Sequence, residues 1–105
     1  MEEAVQKRRR RVKLARQVRV RPSDFHVEHF DEVRVTLSAS PDGIYFTTLR
    51  NTYFKGLRVF VTFPYSPSLD MRHSEYVGEV AAVDMLGEHR RGIAVRFLVF
   101  LKPAA

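Results

Sequence analysis

Residues 32–49 read EVRVTLSASPDGIYFTTL, and this stretch decides the fold. Val33, Val35, Leu37 and Ala39 alternate with Arg34, Thr36, Ser38 and Ser40. A strict period of two is the pattern of a β-strand with two unlike faces. Ser40-Pro41-Asp42-Gly43 then supplies the residue types of a tight turn. Ile44 to Leu49 follows, rich in β-branched and aromatic side chains, and reads as the returning strand of a hairpin.

Outward from this hairpin the same signal recurs. Downstream, Leu57, Val59, Val61 and Phe63 alternate with Arg58, Phe60 and Thr62, between Gly56 and Pro64. Tyr76 to Met85 reads as a strand bent at Gly78, Leu86 to Arg91 as a charged loop, and Gly92 to Leu101 as a last strand in which Arg96 stands among apolar residues. Upstream, Val12, Leu14, Val18 and Val20 recur imperfectly, so Val12 to Val20 is expected to be a strand broken by a bulge or bend at Ala15-Arg16-Gln17. Pro22-Ser23-Asp24 ends it, and Phe25 to Phe30 reads either as a hairpin extension or as an ordered loop. No segment has the length and 3.6-residue period of a core helix. The chain is therefore expected to be all-β, with about six short strands in 105 residues. An antiparallel sheet of this size avoids exposed edges by closing into a barrel. The expected division is a flexible basic segment over residues 1–11, the barrel over 12–101 and a short tail over 102–105.

Charge is distributed unevenly. Residues 1–21 hold nine Lys/Arg against two acids, or +7, whereas residues 22–105 hold nine against ten, or −1. The excess centres on Lys7-Arg8-Arg9-Arg10-Arg11, immediately before the first strand. Five adjacent cations cannot enter a core, because an unpaired buried charge is too costly. They face solvent or an anionic partner. A planar guanidinium fork suits bidentate contact with phosphate and stacks on rings. A double-stranded nucleic-acid binder more often spreads its cations over a whole face, so the near-neutral body weighs against that class and leaves nonspecific contact of residues 7–21 with RNA or acidic lipid as a lesser reading. There is no Cys, which excludes disulfides, thiolate metal sites and Cys nucleophiles. No apolar stretch reaches the roughly 20 residues of a membrane span, and no signal-type apolar region follows the basic run. A cytoplasmic protein is the expectation.

Catalytic patterns are lacking. His26 and His29 lie near Asp24, Glu28 and Asp31, but residues three apart on an extended chain face opposite ways, so no metal site is expected. No nucleophile elbow, H-E-x-x-H or phosphate-loop pattern occurs. No enzyme activity and no cofactor are expected. The turn at Ser40–Gly43, preceded by Ser38, is different. It gathers hydroxyls and backbone N–H groups near one point, and can serve either as a plain hairpin turn or as one wall of an anion site opposite the basic run.

With these two elements in their order, the chain resembles the PilZ domains, bacterial receptors for cyclic di-GMP. That family joins an N-terminal R-x-x-x-R element to a six-stranded antiparallel β-barrel carrying D/N-x-S-x-x-G on an early strand and its turn. The matching stretches are Lys7–Arg11 with Val12 and Ser38-Ala39-Ser40-Pro41-Asp42-Gly43, with Gly43-Ile44-Tyr45-Phe46, Gly56-Leu57-Arg58-Val59, Gly78-Glu79-Val80 and Gly92-Ile93-Ala94-Val95-Arg96-Phe97 in order behind them. The resemblance runs from residue 7 to about residue 100. It implies a non-catalytic cytoplasmic signalling module in which Lys7 or Arg8, together with Arg11, holds phosphate and stacks on guanine, while Ser38, Ser40 and Gly43 contact the other side. It also implies an effector protein as partner, and leaves oligomeric state open. Lys7 stands where the family has Arg, and Ser38 where it has Asp or Asn. A hydroxyl cannot match a carboxylate accepting two donors. Family members without these residues act through protein contacts. The second implied reading is thus a degenerate barrel serving as an interaction domain, with Tyr45, Tyr53 and Tyr65 as a contact patch.

Overall fold

The computed structural model describes residues 12–67 and 74–103. Seven strands follow in chain order: β1 (Val12–Lys13), β2 (Gln17–Pro22), β3 (Glu32–Ser40), β4 (Gly43–Thr48), β5 (Arg58–Thr62), β6 (Ser74–Gly87) and β7 (Arg90–Pro103). Every pairing is antiparallel. The order β3-β2-β5-β6-β7-β4 returns to β3 through the β3–β4 hairpin, so six strands close into a barrel and β1 is an extra piece on β3. None of the described residues is helical.

The core is aliphatic. Val18, Val20, Ile44, Phe46, Val59, Val61, Val80, Ile93 and Val95 point inward and are buried. One end of the barrel is capped by Phe30, Tyr53 and Leu57, with the Tyr53 ring edge-on to Phe30 at 4.9 Å and to Phe46 at 5.7 Å. The cap contains a carboxylate. Glu32 Oε1 accepts from the Tyr53 hydroxyl at 2.7 Å and Oε2 from the Thr48 hydroxyl at 2.6 Å. Burial and the adjacent Glu32 charge push the Tyr53 phenol far above its ordinary range, so it stays a donor.

The stretch that decided the fold turns one of its faces the other way. Over residues 33–37 the apolar set points outward: Val33, Val35 and Leu37 are each about half exposed, whereas Thr36 is buried. The pairing with β4 fixes this, because Thr36 lies opposite the buried Phe46. A bulge between Thr36 and Ser38 then shifts the register by one residue and brings Ala39 inward, opposite Ile44. Period two identifies the strand but not which face meets the core.

The first strand is interrupted where the sequence predicts a break. β1 and β2 lie on the same edge of β3, separated by Leu14-Ala15-Arg16. The Thr36 hydroxyl fills the gap: it donates to the Leu14 carbonyl, approaches the Arg16 carbonyl at 3.2 Å, and accepts from the Arg16 N–H at 3.2 Å. Residues 25–30 form a loop, held at its far end by a two-point pair in which Arg19 Nε and Nη2 donate to Asp31 at 2.9 and 2.6 Å. The guanidinium keeps the Asp31 carboxyl below its usual range. The charged loop expected over Leu86–Arg91 shrinks to a two-residue turn. Glu88 and His89 adopt φ of 51° and 67°, the left-handed pair of a type I′ hairpin. Such turns favour Asn-Gly, and Glu-His gives no such sign in the sequence.

Replacing Thr36 with Val keeps the side-chain shape and removes the hydroxyl. Unfolding in urea should show a loss of about 1–3 kcal/mol. No change in stability would mean that the break closes without this contact.

Candidate functional site

Ser38, Ser40 and Gly43 occupy the closing hairpin of the barrel. Ala39 is 3% exposed and faces inward, so its neighbours Ser38 and Ser40 belong to the outer surface. Ser38 pairs with Tyr45 on β4 and with Lys13 on β1. Ser40 pairs with Gly43, and its Oγ accepts from the Asp42 N–H at 3.1 Å, which tightens the turn. Lys7, Arg8 and Arg11 lie outside the described residues. Val12, the first described residue, sits opposite Ala39, between the two serines in sequence.

Gly43 has a structural cause of its own. It opens β4 opposite Arg96, and a Cβ there would stand 2.2 Å from the Val95 carbonyl oxygen. Only glycine permits β4 to start this close to β7. The Asp42 carbonyl extends the contact by accepting from the Phe97 N–H at 2.8 Å.

The pairing with β7 adds a residue that sequence reading left aside. Arg96 lies directly across from Gly43, with its side chain 61% exposed. Its Nη2 donates to Glu79 Oε1 at 2.6 Å, while Glu79 Oε2 stands 3.8 Å from Arg58 Nε. The only hint in the sequence was a single cation inside a run of apolar residues. The structure thus brings Lys13, Ser38, Ser40, Gly43 and Arg96 onto neighbouring strands β1, β3, β4 and β7.

The tyrosine patch does not form as expected. Tyr53 is buried in the barrel cap and bonded to Glu32. Its aromatic body completes the core, so it is not available for surface contact. Tyr45 does lie on the outer face, where its hydroxyl donates to Asp84 at 3.1 Å across Gly92. A Cβ at Gly92 would overlap that hydroxyl, so the glycine makes room for the ring. Among the described residues no group of three or more His, Cys, Asp and Glu side chains converges as a metal site would require. No helix among them is long and apolar enough to cross a membrane.

No family model matches the chain, and no curated protein matches it. Among solved structures it is similar to the Bacillus subtilis inhibitor of motility (MotI/DgrA), with a TM-score of 0.61 and 17% sequence identity. The match covers 90% of this chain and 44% of that one, so the chain spans less than half the length of the neighbour. At this identity the likeness is one of fold: the two share the closed antiparallel barrel.

Proposed function

We propose that the chain is a non-catalytic bacterial signalling module that binds cyclic di-GMP on the outer surface of its barrel and acts in the cytoplasm through an effector protein. The observation that carries this reading is the seat of β1. Val12 pairs with Ala39 and Lys13 with Ser38, so the basic run joins the barrel beside the serine turn. From Val12, Arg11 is one residue away and Lys7 five, or at most about 17 Å of extended chain. Every cation of the run is within reach of Ser40 and Gly43. The similarity in fold to a protein named an inhibitor of motility agrees with a regulatory role.

The chemistry follows from the residue types. The ligand carries two phosphates and two guanines. Arg11, with Lys7 or Arg8, supplies charge-assisted bonds to phosphate and a planar cation for stacking. The Ser40 hydroxyl already accepts one bond from the turn, which leaves its proton to donate outward. Ser38 presents a second hydroxyl beside Lys13. Binding is therefore expected to hold the run against the barrel, an order-forming switch of the kind that second messengers use.

Titration calorimetry of the full chain with cyclic di-GMP should give saturable heat at micromolar concentrations; a flat trace overturns the reading. Arg11→Ala should bring binding below detection in the same experiment. Ser38→Asp should tighten it roughly three- to tenfold, since a charged carboxylate offers two oxygens to paired donors where the hydroxyl offers one; unchanged affinity would remove Ser38 from the site. Gly43→Ala is expected to act on the fold instead, costing about 1–3 kcal/mol through its collision with Val95, which a lowered melting temperature without ligand would reveal.

A further inference from the structure

The aliphatic stripe of β3 faces solvent. Val33, Val35 and Leu37 are 46, 52 and 52% exposed, and Leu49, 70% exposed, follows β4 at the level of Val33. The inward positions opposite the buried Val18 and Val20 go instead to Arg34 and Glu32, the reverse of what a core alone would select. A single exposed aliphatic residue is ordinary, but a contiguous apolar patch on the order of a few hundred Å² marks an interaction surface. The two borders of the stripe differ in charge. On the β1–β2 side Arg19 stands opposite Val33, Gln17 opposite Val35 and Lys13 opposite Ser38, with Arg16 exposed in the break between the two strands. Asp31 neutralises Arg19, whereas Lys13 and Arg16 make no ion pair with a described residue. On the β4 side Tyr45 and Thr47 form a border without formal charge.

We propose that this outer face of β3 docks an acidic amphipathic helix of a partner protein. Of the reading above it takes only the existence of a protein partner, and it needs no nucleotide. The backbone sets the form of the partner. Both edges of β3 are taken, by β1 and β2 on one side and by β4 on the other, so an extended segment has no edge to join. A helix arrives with its own hydrogen bonds made. The dimensions agree as well. Val33 to Leu37 is four strand steps, about 13 Å, and two turns of helix rise about 11 Å, so apolar side chains at i, i+4 and i+7 can lie along the stripe. Charge sets the rest. Carboxylates on one border of that helix meet Lys13 and Arg16, while its other border lies against Tyr45 and Thr47. A second copy of this chain is a poorer occupant, because its face brings the same two cations and its nearest carboxylates, Asp31 and Asp84, are already bonded to Arg19 and Tyr45. Exposed ion pairs contribute little affinity, so the aliphatic contact supplies most of it and the cations orient the helix.

The probe is a labelled synthetic peptide of about 18 residues, long enough to hold a helix by itself. It is built from Leu, Ala and Glu, with leucines at i, i+4, i+7 and i+11 and glutamates along one border. Its fluorescence anisotropy with the full chain should saturate at micromolar protein. An isomer with the leucines spread around the helix should bind about tenfold more weakly. Val33→Thr combined with Val35→Thr, which keeps the β-branched shape, should also weaken binding about tenfold. Arg16→Glu should weaken it roughly three- to tenfold at low salt and little at high salt. Val99→Thr is the control, since Val99 on β7 is 52% exposed like Val35, and should change affinity less than twofold. Melting curves of the variants close to that of the parent protein would show that the fold is intact. No saturation by the parent, equal binding of the two peptide isomers, or an equal loss in Val99→Thr overturns the inference. A dimer in sedimentation that the Val33→Thr, Val35→Thr variant dissolves also overturns it, because the occupant is then a second copy. Peptide binding by a chain that gives no heat with cyclic di-GMP leaves this inference standing and removes the nucleotide; heat without peptide binding does the reverse.

Discussion

A buried hydroxyl holds the join on which the candidate site depends. Thr36 Oγ1 bridges the backbone on both sides of the Leu14–Arg16 break, through the Leu14 carbonyl and the Arg16 N–H. The buried partner is the hydroxyl itself, which these backbone groups satisfy, since an unpaired buried polar group is costly. With them satisfied, β1 and β2 run along one edge of β3 as a single interrupted strand. Backbone bonds from the Leu14 N–H to the Leu37 carbonyl and from the Thr36 N–H to the Arg16 carbonyl share in holding this join. β2 can pair with both β3 and β5, which the barrel needs for closure. β1 is also fixed opposite Ala39 and Ser38, which sets where the basic run enters.

Closure itself brings distant sequence together at the hairpin. β3 and β4 are joined by two residues, and β7 arrives on the far edge of β4 from about fifty residues further on. The approach is close enough that Gly43 and the Val95 carbonyl exclude any side chain between them. The same glycine thus serves the fold before it serves any ligand, and its presence in a motif is no proof of binding by itself. Around it the described residues place Lys13 of β1 beside Ser38, two serines on the outer face, and the Arg96 guanidinium paired with Glu79.

Polar groups are handled differently at the capped end of the barrel. Glu32, Thr48 and Tyr53 form a closed set in which both carboxylate oxygens accept a hydroxyl. The Arg50 guanidinium lies over the Phe30 ring at 5.3 Å and covers the cap from outside. These groups satisfy one another and are part of the packing. On β6 and β7, by contrast, Glu79 is in partial and Arg96 in open contact with solvent. The contrast lies in the partners: Thr48 and Tyr53 are buried, whereas Arg58 and Arg96 are exposed.

The residues alone determined a good deal. Alternation in Glu32–Leu49 and Leu57–Phe63 identified strands because the side-chain period of a β-strand is a local property of the backbone. The break near Ala15 and the turn at Ser40–Gly43 were legible because an interrupted period and Pro-Asp-Gly also act locally. Facing was not legible. Val33, Val35 and Leu37 point to solvent because β4 places Phe46 opposite Thr36, and pairing between strands is decided by register across the sheet. The Glu-His turn at residues 88–89 was hidden because the long β6–β7 ladder imposes a left-handed conformation that these residues do not favour by themselves. Tyr53 read as surface until the barrel end closed over it. The place of Arg96 beside Gly43 came last, since a pairing across more than fifty residues exists only once the barrel has closed, and no local pattern encodes which residue will arrive there.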